Sequence, residues 1–190
     1  MSIGSLIVLA CIVVGAVYAI VVYNGLVALK HLVSKSFANI DVLLKQRHDE
    51  LPKLVETCKQ YMQYEQQTLE RVITARSRVA QAQQKGEIGA LGSAEGELRA
   101  GVGHLFALAE NYPDLKTNDT FRQLQGRITD LENAIADRRE IYNEAVNNNN
   151  VRIEQFPDAI LAGMFHFKAF ELLQFSSEEK SDVNIAALFK

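Results

Sequence analysis

The chain has 190 residues with three Pro, no Trp, two Cys and a formal net charge of -3. That balance gives no global basic field for nucleic acid, and Cys11 and Cys58, far apart in sequence, do not make a disulfide framework. After residue 25 the composition turns to Ala, Leu, Glu, Gln and Arg, which favours helix over sheet, and about one domain's worth of chain follows the apolar start.

Residues 3–22, from Ile3 to Val22, contain no charged side chain. As a helix they span roughly 30 Å, the thickness of a bilayer's hydrocarbon core. A cleaved signal peptide would carry basic residues ahead of a shorter apolar core. Only Met1 and Ser2 stand before this run, and Val17-Tyr18-Ala19 makes a poor cleavage site. Residues 1–22 therefore read as a transmembrane anchor, with the lipid bilayer as the first expected partner. Within it Cys11, Gly15 and Ala19 form a small-residue stripe at i, i+4 and i+8. Such a stripe lets spanning helices approach closely, although small residues are common in spans generally. Lys30 and Lys35 follow the exit, so the positive-inside rule places the remaining chain in the cytoplasm.

No helix breaker separates the anchor from the next segment. Leu26, Leu29, Val33, Ser36, Ile40 and Leu43, widened by Phe37 and Leu44, give it a buried stripe over about 23–48. Asp49 offers an N-cap and Pro52 fits a first helical turn, which predicts a reversal near residues 48–50. A second helix is expected over about 50–84, with Leu51, Leu54, Cys58, Tyr61, Val72 and Val79 on its seam. Its carboxylates come early and its basic residues late, as the helix dipole favours. Residues 86–103 then hold six of the eleven glycines and read as a loop leading, with Ser93 as cap, into a third helix over about 93–111. Tyr112-Pro113 ends it. The fourth helix, about 118–149, keeps a three-four rhythm through Phe121, Leu124, Ile128, Leu131, Ile135, Tyr142 and Ala145, broken at Arg138. A charge there needs a carboxylate, and Glu65 is the expected partner in a buried ion pair. The Asn run at 147–150 weakens helix propensity. Residues 151–190 form an apolar segment followed by a polar tail. The expected fold is all-α: a transmembrane helix continuous with an antiparallel four-helix bundle over 23–150.

Chemistry has little support. None of the four histidines has Glu three residues before it, as di-iron bundles require, and no HExxH, Cys-x-x-Cys or Gly-x-Ser-x-Gly occurs. Cys58 lies on an apolar face and reads as packing rather than nucleophile. No cofactor, metal or catalytic residue is expected, and no enzyme activity.

Length sets a further expectation. Residues 23–47 make about 37 Å of helix and residues 50–84 about 52 Å, so the second helix would overshoot the first by about 15 Å toward the bilayer. Arg71, Arg76, Arg78 and Lys85 would then meet anionic headgroups, and Phe165 and Phe167 could sit at the interface. The alternative is that these aromatics pack on the bundle's end or on a neighbouring subunit.

Several segments together resemble a known family. They are Tyr23-Asn24-x-Leu-Val, Phe37-Ala-Asn-Ile-Asp-Val-x-Leu-Lys-x-Arg-His-Asp and Pro52-x-Leu-Val-Glu-Thr, then Glu110-Asn-Tyr-Pro-x-Leu-Lys and Phe121-x-x-Leu-Gln. Arg138-Arg139-x-x-Tyr142-Asn143, Phe156-Pro157 and Gly163-x-x-x-Phe167-Lys168 complete the set. In this order and spacing the chain is similar to the LemA family of bacterial membrane proteins, from Tyr23 to about Phe170. Phe37 stands where the family usually has Trp, and Asn149 where Tyr is common. The resemblance implies an N-terminal anchor in the bacterial inner membrane and an antiparallel four-helix domain, with no catalytic residues to carry over. The expected role is a self-assembling scaffold, a homo-oligomer at the membrane. The alternative is a membrane-tethered signalling adaptor for a protein partner.

Overall fold

The computed structural model describes residues 3–175, and all regular structure among them is α-helical. The helices are α1 (Ile3–Lys59), α2 (Gln66–Lys85), α3 (Ile88–Ala109), α4 (Pro113–Lys116), α5 (Asp119–Glu154) and α6 (Asp158–Met164). They form two compact units, residues 3–38 with 140–171 and residues 39–139 with 172–175, so α1 and α5 contribute to both. The all-α class is as expected, whereas the helix limits differ. The polar tail beyond residue 175 lies outside the described residues.

No reversal forms at residues 48–50. α1 continues for 57 residues with Pro52 inside it. Proline has no amide hydrogen for the carbonyl four residues back, here that of His48. Arg76 Nε on α2 donates to that oxygen at 2.9 Å, so the group that Pro52 leaves over is satisfied. α1 ends where Tyr61 N and Met62 N both donate to Cys58 O, at 3.0 and 2.8 Å. α2 is then only 20 residues long and runs antiparallel to residues 39–59, with Gln83 Nε2 donating to Asp41 Oδ1 at 2.5 Å. The two stretches match in length, and the expected overshoot is absent.

The glycine-rich stretch is helical from Ile88. Gly86 alone in that stretch takes the left-handed conformation, at φ 69°, and closes α2: its N–H meets Gln83 O and the Glu87 N–H meets Ala82 O. Gly92 is required for another reason, because a Cβ there would run into the main-chain carbonyl of Gln174. The small residue lets the segment carrying buried Leu173 and Phe175 cross α3. Ser93 is not a cap; its hydroxyl donates to Gly89 O inside the helix. Asn118 caps α5 from the position before it, its Oδ1 accepting the Phe121 N–H at 2.9 Å, and the helix passes through residues 147–150 unbroken.

The unit of residues 39–139 with 172–175 buries Leu44, Leu51, Leu54 and Cys58 of α1 with apolar residues of α2, α3 and α5. In its interior lies Arg47, 1 % exposed. Its Nη2 bonds to both oxygens of Glu95 on α3, at 2.5 and 2.6 Å, and its Nη1 to Glu132 on α5 at 2.7 Å. Burial works against the Arg47 charge, but the two carboxylates outweigh it and hold its pKa above the ordinary value. Burial pushes the Glu95 carboxyl up despite Arg47. This triad replaces the expected Glu65–Arg138 pair. Arg138 is exposed, and Glu65 accepts the Tyr112 hydroxyl at 3.4 Å. Near that point α5 turns Ile135 inward, and the guanidinium of Arg139 lies 3.9 Å from the Phe175 ring centre. The seam therefore has no place for residue 138.

Candidate membrane-proximal site

The unit of residues 3–38 with 140–171 is built around the first part of α1. From Ile3 to Val17 every α1 residue is exposed, and only 6 % of the helix's most apolar 18-residue stretch is buried. A helix this apolar and this uncovered is not a soluble core helix; it has the length and composition to cross a membrane. Of the small-residue stripe, Cys11 and Gly15 are exposed and Ala19 is half-buried.

Cover begins at Tyr18. Its hydroxyl donates to Asp158 Oδ1 at 3.3 Å, and Asp158, 5 % exposed at the start of α6, also pairs with Arg152 of α5. Val22 and Leu26 pack against Ala162 of α6, with Ile153, Leu161 and Phe167 around them. Val22, expected as the last lipid-facing residue, is thus 2 % exposed and covered by protein. The Phe165 and Phe167 rings stand edge-on to Tyr23, with centres at 4.8 and 5.9 Å. Phe156, Ile160, Met164 and Phe165 remain exposed around this junction, so α6 presents apolar side chains beside an apolar helix.

The segment after α6 is strapped to α5 by side chains. Asn150 Nδ2 donates to Phe170 O and Asn150 Oδ1 accepts the Phe170 N–H, both at 2.9 Å. Buried Asn149 donates to Lys168 O at 3.3 Å, and the Tyr142 hydroxyl donates to Glu171 O at 2.9 Å. Burial, then the Glu171 charge, raises the Tyr142 pKa. Phe37 packs on Tyr142 with ring centres at 5.6 Å. Both departures from the family pattern, Phe37 and Asn149, therefore lie in this unit's packing.

The basic residues expected at the headgroups are placed in the other unit. Arg76 is committed to His48, through the carbonyl and through Nη2 at 2.6 Å from Nε2. Arg78 pairs with Glu97 on α3 at 2.5 Å. Arg71 lines a cleft of about 690 Å³ between α2 and α3, and Lys85 is exposed at the end of α2. Phe165 and Phe167 belong to the unit of residues 3–38 with 140–171. The residues that sequence reasoning missed are Asp158, Arg152, Asn149 and Asn150. Polar side chains in a helical run signal a break as readily as a tertiary clamp, and only the Asn cluster gave any hint.

An exposed apolar helix carrying a helical domain, with a polar clasp and aromatic side chains where cover begins, defines a membrane-associated helical protein. The LemA family pattern matches residues 36–186, most of the chain, and the chain belongs to that family. It is similar to Magnetosome protein MamQ 2 and Magnetosome protein MamQ 1 of Paramagnetospirillum magneticum. Each is 36 % identical over 92 residues, which cover 47 % of this chain and 34 % of the relative. Magnetosome protein MamQ of Magnetospirillum gryphiswaldense is 24 % identical over 172 residues, covering 78 % of this chain and 63 % of the relative. The chain thus spans less than two thirds of each of these relatives.

Proposed function

We propose that this LemA-family protein is a single-pass anchored scaffold of the bacterial inner membrane, with its helical domain in the cytoplasm and without catalytic activity. The observation that carries this reading is the change along α1 from exposed side chains throughout Ile3 to Val17 to burial at Val22 and Leu26. A continuous helix ties the domain to the bilayer with no flexible linker. Self-assembly through the span has support in Cys11 and Gly15, which are open for a second helix to approach. Lys30 and Lys35 support the cytoplasmic side. A tethered adaptor for a protein partner is the second reading, favoured by the open cleft between α2 and α3 lined by Arg71, Glu97 and His104.

Carbonate extraction of membranes followed by light-scattering mass measurement in detergent tests the scaffold. The expected result is retention in the membrane and a mass several times that of one chain. A monomer in mild detergent that co-purifies with one stoichiometric protein would move the assignment to the adaptor. Release by carbonate would remove the anchor.

A further inference from the structure

Beside α1, just past the clasp, the unit of residues 3–38 with 140–171 contains a cleft of about 640 Å³. Its lining includes Lys30 and His31 from α1 and His166 and Lys168 from the segment after α6, with Tyr23 and Phe167 as aromatic walls. No carboxylate is among the lining residues. The volume is that of a small-ligand site, and its composition suits an anion carried on an apolar body.

Three features tie it to the bilayer. Lys30 stands nine residues beyond Val21, the last exposed apolar residue of the span, about 14 Å along the helix. Helical side chains tilt toward the helix N-terminus, which here is the apolar end, so the lysine stem leans toward the headgroups. Headgroups extend the hydrocarbon core by roughly 5–8 Å on each side, within reach of such a side chain. One lining residue, His166, is held at a conformational cost. His166 takes φ 56° at the end of α6, where its N–H meets Gly163 O and the Phe167 N–H meets Ala162 O. That is the same closing motif that ends α2, where the left-handed position is filled by Gly86. An imidazole in place of glycine there is strained, and strain of this kind collects at ligand sites.

We propose that this cleft binds the phosphate headgroup of an anionic phospholipid from the leaflet around α1, with Lys30 and Lys168 meeting the phosphate and the aromatic walls flanking its glycerol end. The inference rests on the anchored reading above. It adds a lipid preference that a plain anchor does not need.

The test uses the full chain purified in detergent and titrated with phosphatidylglycerol or phosphatidylcholine, read by native mass spectrometry. Phosphatidylglycerol is expected to bind selectively, and Lys30→Gln/Lys168→Gln to weaken it by roughly thirtyfold. His166→Gly relieves the strained backbone, so it should fold at least as well as the parent yet retain less phosphatidylglycerol. Inorganic phosphate in large excess should not displace the lipid, because it lacks the apolar contacts. Equal retention of the two lipids, or undiminished phosphatidylglycerol binding in both variants, overturns the lipid site while carbonate-resistant insertion leaves the anchor standing. Displacement by inorganic phosphate would show a site for a free anion and overturn the lipid assignment. Carbonate release of the parent overturns anchor and lipid site together.

Discussion

Arg76 makes the hydrogen bond to His48 that Pro52 cannot make. Its Nε lies 2.9 Å from the His48 carbonyl oxygen, and its Nη2 lies 2.6 Å from His48 Nε2. One side chain on α2 thereby satisfies the carbonyl that a proline within α1 leaves without its amide partner.

Arg76→Ala should destabilise the protein by about 1–2 kcal/mol, because it leaves a partly buried carbonyl unpaired. In a Pro52→Ala background the restored amide takes that carbonyl, and the same substitution should cost less. A double-mutant cycle by denaturant unfolding checks this; additive effects would dissociate Arg76 from the proline. The same contact bears on pH. Burial, then the charge of Arg76, holds the His48 pKa below its ordinary value, so the folded state favours the neutral ring. The stability contributed is therefore complete above about pH 6.5 and is lost as the pH falls. In Arg76→Ala an NMR titration should find the His48 pKa higher than in the parent.

Arg47 anchors the second prediction. Arg47→Ala should cost about 3–5 kcal/mol, since it strands the buried Glu95 carboxylate without its partner. Replacing Arg47 by Met and both Glu95 and Glu132 by Leu should recover most of that loss. Chemical unfolding of the two variants against the parent measures both steps. A mild effect of the single substitution would mean that water reaches Glu95.

The contrast between Arg47 and Arg138 shows what the sequence could and could not reveal. Apolar periodicity marked the helical segments and most buried faces, because Leu26, Val33, Ile40, Val72, Ile128 and Ile135 repeat at helical spacing. The apolar start and the family resemblance were equally plain. Helix ends were not, because they depend on distant partners: Pro52 and Asp49 spell a helix start unless Arg76 is opposite His48. Glycines spell a loop unless a chain must cross at Gly92. A buried arginine is invisible to a rule that looks for breaks in a seam, since Arg47 sits in a stretch that also contains Lys45 and His48. The clasp at Asp158 and the basic cleft joined residues more than a hundred positions apart, and no local pattern carries that information.

Cys58 should be inert to thiol reagents. It is fully buried, and burial pushes the thiol up to about 12 from an ordinary value near 9. In a Cys11→Ser background the native protein should not react with a chromogenic disulfide at mildly alkaline pH, and should react once denaturant is added. The sign of the pH effect follows. The folded state keeps the proton where the unfolded chain has lost it, so this contribution is complete below about pH 9 and falls away as the pH rises toward 12. Rapid labelling without denaturant would show that the end of α1 opens locally.

Gly92 gives a test in which the sign of the effect decides. Gly→Ala inside a helix ordinarily stabilises by about 1 kcal/mol. Gly103→Ala should do so, because no atom lies within 4 Å of the added carbon. Gly92→Ala should instead lose about 1–3 kcal/mol, because its methyl group collides with the main chain at Gln174. Thermal unfolding of the two variants settles the comparison. Two stabilised proteins would mean that residues 172–175 do not lie across α3.

The last prediction concerns the two hydrogen bonds between Asn150 and Phe170. A single side-chain amide here satisfies both main-chain groups of a residue outside any helix, as a neighbouring strand would. On an exposed turn Asn→Ala favours a helix, so Asn147→Ala should be neutral or slightly stabilising. Asn150→Ala removes two bonds of about 1 kcal/mol each and should outweigh that gain. Asn150→Asp separates them: the carboxylate still accepts the Phe170 N–H but turns a repelling oxygen toward the Phe170 carbonyl. Hydrogen exchange at the Phe170 amide resolves the three variants. Protection should fall by roughly tenfold or more in Asn150→Ala, persist in Asn147→Ala and be partly kept in Asn150→Asp. Because Lys168 lies two residues before Phe170, on the same strapped segment, Asn150→Ala should also weaken phosphatidylglycerol retention. Loss of lipid without loss of Phe170 protection would show that Asn150 acts on the cleft by another route than the strap.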